Sequence, residues 1–191
     1  MRISGGIARG IPLSVPKTRD VRPATDRLRQ AVFSSIAGWL PGVRFLDLFA
    51  GSGAYGLEAL SRGAISGVFV EQDTKTIPHL EQNIKAVCKS MGSDPKLLSV
   101  ITADATEVPL GNGELPDLIF IDPPYDMIIG AAEPMFAKLT QALANKPDAI
   151  VIFEMPGDFI LNPPGWEQIK RLGQGVKQPT AVFFRKHFKS H

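Results

Sequence analysis

The chain has 191 residues, 44% of them hydrophobic, and a net charge of +2. That is enough for one domain with an ordinary core, and no apolar run nears the roughly 18 residues that a membrane span requires. A single cysteine, Cys88, excludes an internal disulfide and a cysteine-based metal cluster, and Met1-Arg-Ile-Ser-Gly-Gly carries no apolar leader. These features together predict a soluble, cytoplasmic, metal-free protein.

The charge is unevenly placed. Residues 1–30 hold seven basic side chains against two acidic ones, a surplus of five, so the remainder of the chain sums to −3. A basic segment on a mildly acidic body points to a polyanion partner, or to no more than a solvated basic arm.

In chain order, residues 2–15 read as a small hairpin, Arg2-Ile-Ser and Ile11-Pro-Leu-Ser-Val, turning through Gly5-Gly6 and Gly10. Pro16 to Pro23 is an irregular basic connector. Thr25 or Asp26 then caps a helix with Leu28, Val32, Ile36 and Leu40 on one face, stopped by Pro41-Gly42. Beyond it, strands and helices alternate. Strands are predicted over 43–48, 67–70, 97–101, 118–121 and 149–153, and helices over 54–62, 74–89 and 131–144, with Pro78 awkward near a first turn. Such alternation implies a parallel sheet covered on both faces. The end differs: 166–172 and 180–185 are strands joined through Gly173-Gln-Gly175, an antiparallel hairpin added to that sheet.

Two stretches carry the chemistry. In Phe45-Leu-Asp-Leu-Phe-Ala-Gly-Ser-Gly-Ala-Tyr-Gly56 an apolar strand is followed by an Asp and a glycine loop, and Glu71 follows twenty residues after Gly51. Gly51, Gly53 and Gly56 satisfy G-x-G-x-x-G, which suits any adenosine-containing cofactor. Asp47 would oppose a dinucleotide's pyrophosphate but could meet the ammonium of S-adenosylmethionine. Asp104, after the third strand, could accept an adenine amine, and Glu71 the ribose hydroxyls. The second stretch, Leu118-Ile-Phe-Ile-Asp-Pro-Pro-Tyr125, ends a strand in a rigid turn. There Asp122 and the Pro123 carbonyl can accept the hydrogens of an amine on a base whose ring stacks on Tyr125, with Pro124 stiffening the turn. Cys88 reads as packing, which argues against pyrimidine C5 chemistry, and His79, His187 and His191 read as solvated.

LDLFAGSG followed by EALSRGA, then VFVEQD and DPPY, resembles the class I S-adenosylmethionine-dependent amino-methyltransferases. Met1-Arg-Ile-Ser-Gly-Gly-Ile-Ala-Arg-Gly and Arg22-Pro-Ala-Thr-Asp-Arg27 narrow the resemblance to the RsmD family. It implies a Rossmann-like α/β fold: a mostly parallel seven-stranded sheet ending in an antiparallel hairpin, preceded by a small N-terminal β-hairpin. It implies transfer of a methyl group to the exocyclic N2 of a guanosine in 16S ribosomal RNA, on a 30S subunit or an assembly intermediate. Nothing in the sequence suggests more than a monomer. Asp47, Phe49, Gly51, Gly53, Glu71, Gln72, Asp104 and Ala105 would hold S-adenosylmethionine, with Thr25 and Arg27 near its methionine end. Asp122, Pro123, Pro124 and Tyr125 would hold the guanine.

The expected division is an RNA-binding extension over 1–24, with Arg2, Arg9, Lys17, Arg19 and Arg22 on the RNA, and a methyltransferase domain over 25–191. Two departures stand out. Tyr55 replaces the family's usual aliphatic residue, and the last hairpin lacks the expected Tyr-Gly-x-Thr pattern. Other readings of the same residues are an adenine-N6 methyltransferase of DNA or RNA, a protein-glutamine methyltransferase, a NAD-dependent oxidoreductase, and a catalytically silent RNA-binding module.

Overall fold

A computed structural model describes residues 1–16, 23–110, 113–173, 175–176 and 178–187. Seven strands form one sheet: β1 (Arg44–Leu48), β2 (Ser66–Glu71), β3 (Leu98–Thr102), β4 (Leu118–Ile121), β5 (Ile150–Pro156), β6 (Trp166–Leu172) and β7 (Pro179–Lys186). Their order is β3-β2-β1-β4-β5-β7-β6. The first five run parallel, whereas β7 pairs antiparallel with both β5 and β6. The sheet is therefore the mostly parallel one expected, closed by an antiparallel hairpin.

Among the described residues four α-helices cover it: α1 (Pro23–Ser35), α2 (Ala54–Ser61), α3 (Ile77–Met91) and α4 (Ile128–Ala142). Alternation along each strand divides the core between the two faces. Phe45, Phe120, Ile152 and Phe183 pack with α1, α2 and α3, while Leu46, Ile119, Val151 and Val182 pack with α4. Burial on both faces is why these strands read as unbroken apolar runs. Each fully buried Phe or Leu contributes roughly 1.5–3 kcal/mol of transfer free energy.

Helix boundaries differ from expectation at several ends. α1 begins at Pro23, so Thr25 and Asp26, expected to cap it, lie within its first turn. α1 stops at Ser35, because Ile36 adopts φ −113° and ψ 12°, and a 3-10 turn over Ala37–Trp39 carries the chain to Leu40. α3 starts at Ile77, after Asp73 accepts from the Lys75 N–H and the Thr76 hydroxyl. Pro78 thus falls in the first turn, where a missing N–H costs no helical hydrogen bond. α4 begins three residues earlier than the periodicity suggests.

The N-terminal segment makes a short antiparallel arch, with Arg2 bridged to Pro12 and the Ile3 N–H donating to the Ile11 carbonyl. It lies against α2 and α3. Ile3, Ala8 and Leu13 belong to the core, and Gly6 (φ 77°) passes so close to the Ser61 carbonyl that a Cβ would sit 1.9 Å from that oxygen. Ser4 donates to the buried Glu58 carboxylate, Arg62 pairs with the same group, and Asn83 bonds both Ser14 and Ser52. Arg2 and Arg9 are exposed on this arch. Among the described residues, no helix is long and apolar enough to cross a membrane.

Candidate active site at the carboxyl edge of the sheet

The connections leave β1 in opposite directions, toward β2 on one side and β4 on the other. A crevice opens at the carboxyl end of such a switch point, which is where ligands of open α/β sheets bind. A cavity of about 430 Å3 occupies that position. That volume suits a small-molecule site.

Its β1–β2 wall is a backbone cradle. The Glu71 carboxylate accepts from the Gly51 N–H at 2.7 Å and from the Asp73 N–H at 2.8 Å, which ties the loop after β1 to the end of β2. This bond accounts for the twenty-residue spacing. Asp47 accepts from the Gly56 N–H at 2.9 Å, in the first turn of α2. Phe49 holds φ 62° just after β1 and lines the cavity. A left-handed bulky residue is strained, and such residues gather at binding sites. Gly53 and Gly56 are also constrained by packing: a Cβ on Gly53 would meet Leu80 at 2.5 Å, and one on Gly56 would meet Phe45 and Phe69 at 2.4 Å.

The β4–β5 wall is made of side chains. Asp122 follows β4, and Glu154 lies near the end of β5. The two strands pair Ile121 with Phe153, so Asp122 and Glu154 are the next residues on neighbouring strands. Pro123 is buried, Asp122 and Tyr125 are half-buried, and the Pro124 carbonyl accepts from Met127 to start α4. Tyr55, from α2, donates to Glu154 at 2.8 Å and packs against Phe33 and Phe120. Arg29, from α1, is 3% exposed, pairs with Asp26 at 2.9 Å and donates to the Arg2 carbonyl.

The electrostatics follow from crowding carboxyls into a dry space. Burial pushes the Asp47 carboxyl well above its usual range, against the Gly56 hydrogen bond, and the Asp122 and Glu71 charges add to the rise. Burial raises Glu154 likewise, reinforced by Asp122 and opposed by the Tyr55 hydrogen bond and Arg29. The Tyr55 hydroxyl is also held above its usual value, by burial and then by Glu154.

Of the residues singled out from sequence, Asp47, Phe49, Gly51, Glu71, Gln72, Asp122, Pro123, Pro124 and Tyr125 line the one cavity. Gly53 lies behind the lining. Asp104 accepts from the Thr106 N–H and hydroxyl, Ala105 is in the core, and neither is among the lining residues. Arg27 is exposed, and Thr25 is in the first turn of α1. Lys17, Arg19 and Arg22 lie outside the described residues.

Sequence reasoning missed Met1, Val15, Pro16, Arg29, Ser52, Tyr55 and Glu154 as parts of this wall. Glu154 was discoverable, since an acid at the end of an apolar strand repeats the pattern of Asp47, Glu71 and Asp122. Arg29 was not, because a cation within a helix reads as a solvated one.

A Haemophilus influenzae protein named ribosomal RNA small subunit methyltransferase D is 29% identical over 177 residues, which cover 92% of this chain and 90% of that one. The Escherichia coli protein of the same name is 37% identical over 125 residues, covering 65% and 60%. Among solved structures, a candidate methyltransferase from Escherichia coli superposes with a TM-score of 0.80 at 26% identity, covering 97% of each chain. A candidate methylase from Haemophilus influenzae does so at 0.75 with the same identity and coverage. The family model described as conserved hypothetical protein 95 matches residues 1–182, and the chain belongs to that family, as an RsmD-family methyltransferase.

Proposed function

We propose that the protein transfers a methyl group from S-adenosylmethionine to the exocyclic N2 amine of a guanosine in 16S ribosomal RNA of the small subunit. The observation that carries the cofactor is the charge of the cavity. Among the described residues its lining holds four carboxyl side chains, those of Asp47, Glu71, Asp122 and Glu154, and one guanidinium, that of Arg29. Even with Asp47 and Glu154 biased toward the protonated form, this lining offers carboxyl oxygens to a ligand's ammonium and sulfonium and gives a dinucleotide's pyrophosphate no cationic cradle. This disfavours the nicotinamide reading. Glu71, with acceptor capacity beyond its two backbone bonds, would hold the ribose, and Asp47, Phe49, Gly51 and Gln72 would hold the rest.

S-adenosylmethionine, when bound, supplies the electrophilic methyl group. The chain's own residues supply position. The Asp122 carboxylate and the Pro123 carbonyl accept the two amine hydrogens, which turns the nitrogen lone pair toward the cofactor side of the cavity. Asp122 holds the proton that the amine gives up. Tyr125 offers a face to the flipped base, a stacking interaction of roughly 1–3 kcal/mol. Positioning of this kind can supply ~7–11 kcal/mol of a barrier.

The exposed Arg2 and Arg9, with Lys17, Arg19 and Arg22 further along, make residues 1–24 the RNA-gripping extension of the domain over 25–191. The names of the relatives favour ribosomal RNA of the small subunit as the substrate. We extend this to a 30S subunit or assembly intermediate, acted on by a cytoplasmic monomer. The test is transfer of labelled methyl to small subunits, and to their extracted RNA, from cells lacking the protein, followed by digestion to nucleosides. Label in N2-methylguanosine supports the reading. Label in N6-methyladenosine would replace guanine with adenine, and label in no RNA would end the proposal.

A further inference from the structure

We propose that Glu154 reads the substrate base, its carboxyl accepting N1–H of the guanine whose N2 amine is held by Asp122, and that Tyr55 is a positioning residue that fixes this carboxyl. The inference rests on the guanine reading above and adds to it the residue that recognises the base.

Strand register makes the case first. Ile121 pairs with Phe153, so Asp122 and Glu154 are the next residues beyond the last registered pair of two parallel strands, which lie about 4.8 Å apart. With period-two alternation, both follow Phe120 and Ile152 onto the face that α1 and α2 cover. Both line the same cavity. Two neighbouring acceptors on one cavity wall match a ligand edge with two adjacent donors, and the Watson–Crick edge of guanine offers N1–H beside N2–H2. Adenine presents a lone pair at N1 and has no amine at C2, so the same pair of carboxyls leaves it without that second hydrogen bond. A donor placed between the two acids also relieves the repulsion that Asp122 exerts on Glu154.

The support around Glu154 is built rather than incidental. The residue is 3% exposed, and its carboxyl accepts from Tyr55 at 2.8 Å. Tyr55 in turn packs in a triangle of rings with Phe33 and Phe120, its centroid 5.9 and 5.2 Å from theirs. An aliphatic residue in place of Tyr55 would leave the carboxyl without this anchor. On the same wall, the Arg29 Nε is buried and has no hydrogen-bond partner among the described residues, a donor left over beside the cavity. A carboxyl kept inside an apolar sheet edge only for stability is a poor device, since an apolar residue of similar size would cost less there.

The experiment compares wild-type protein with Glu154→Leu, Glu154→Gln, Glu154→Asp and Tyr55→Phe. Substrates are small ribosomal subunits and their RNA from cells lacking the protein, with nucleoside analysis of the product. Calorimetric binding of S-adenosylhomocysteine and the melting temperature are measured on each variant. N2-methylguanosine from the wild type establishes the underlying reading, and its absence would sink both that reading and this one.

Given that product, leucine lowers kcat/KM for RNA about 30-fold, as loss of a buried recognition bond does, while glutamine, which keeps an acceptor carbonyl, stays within about fivefold of wild type. Aspartate, with the charge kept and the reach shortened, loses about tenfold, and phenylalanine at Tyr55 raises KM for RNA about threefold. Affinity for S-adenosylhomocysteine, which lacks the sulfonium, stays within about threefold throughout, and the leucine variant, which strands the buried Tyr55 hydroxyl, melts below wild type by no more than that one lost bond explains.

If leucine keeps wild-type kcat/KM, Glu154 does not touch the base. If every Glu154 variant loses activity in step with its melting temperature or its affinity for S-adenosylhomocysteine, the residue is structural. Should the leucine variant fail to fold, full activity in the aspartate variant or inactivity in a folded glutamine variant would overturn the proposal.

Discussion

The two walls of the cavity use the same residue type by opposite means. On the β1–β2 side, carboxylates are committed to main chain: Glu71 to the Gly51 and Asp73 N–H groups, Asp47 to that of Gly56. On the β4–β5 side the partners are side chains: Tyr55 on Glu154, with Arg29 beside them and Asp122 as a neighbouring charge. The first arrangement fixes the shape of a loop, which on the reading proposed above cradles S-adenosylmethionine. The second presents hydrogen-bonding groups of set identity, which on the proposal above choose the base. Backbone cradles position, and side-chain clusters discriminate.

This contrast can be broken or sharpened by experiment, and the largest effect belongs to Asp122. Asp122→Ala should lower methyl transfer by roughly 10²–10³-fold, the scale of losing one group aimed at a reacting centre, while affinity for S-adenosylhomocysteine stays within about twofold. Loss of that affinity in calorimetry would mean that the walls do not divide the work.

Glu71→Ala tests the opposite wall. Two backbone donors lose their partner, at about 1–3 kcal/mol each where they remain buried. Stability should fall in urea denaturation, and cofactor-product affinity should fall by about tenfold or more. An unchanged stability would show that the carboxylate does not hold the loop.

A third measurement concerns pH. Asp47 and Glu154 carry folded-state values raised above their ordinary 3.8 and 4.5. Above those ordinary values the native state binds more protons than the unfolded chain, so the two groups make stability fall as pH rises toward their raised folded values. Glu154→Gln removes one such proton and should flatten the fall by at most about 1.4 kcal/mol per pH unit. Denaturant titrations from weakly acid to neutral pH would show it. A fall equally steep in the variant would mean that Glu154 titrates normally.

The smallest effect lies outside both walls. Replacing Arg2 and Arg9 with Gln should weaken RNA binding a few-fold and reduce the salt slope by about one for each phosphate no longer neutralised. An unchanged slope would make the arch a packing element alone.

Much of the fold was legible in the chain, because its signals are local and repeated. Apolar runs ended by acids marked every parallel strand, and Gly173-Gln-Gly175 marked the final hairpin. Helix starts were less legible. α3 begins after an Asp73 turn, and α1 ends where Ile36 leaves helical geometry, and neither event disturbs the apolar spacing that defines a helix in sequence. The candidate site was legible on both motifs. Asp104 was legible only as an acid at a strand end: it accepts from Thr106 through one oxygen and is not among the cavity's lining residues, so its contact with an adenine is carried by the resemblance alone.

By itself the sequence determined the α/β class, the parallel sheet with its antiparallel close, and the two motifs at the strand ends. Those follow from side-chain periodicity and turn chemistry, which act over a few residues. Only the tertiary structure decided that Glu154 stands beside Asp122, that Tyr55 reaches from α2 to hold it, and that Arg29 faces the same cavity. These residues come from four separate elements, and strand order and register bring them together across as much as 125 positions of chain, from Arg29 to Glu154. The N-terminal arch belongs to the same class of fact. Its glycines and arginines describe an exposed arm, yet Ile3, Ala8 and Leu13 bury it against α2 and α3 and bring Met1 to the cavity wall. A few scattered apolar residues suffice for that only when a complementary helix surface already exists to receive them.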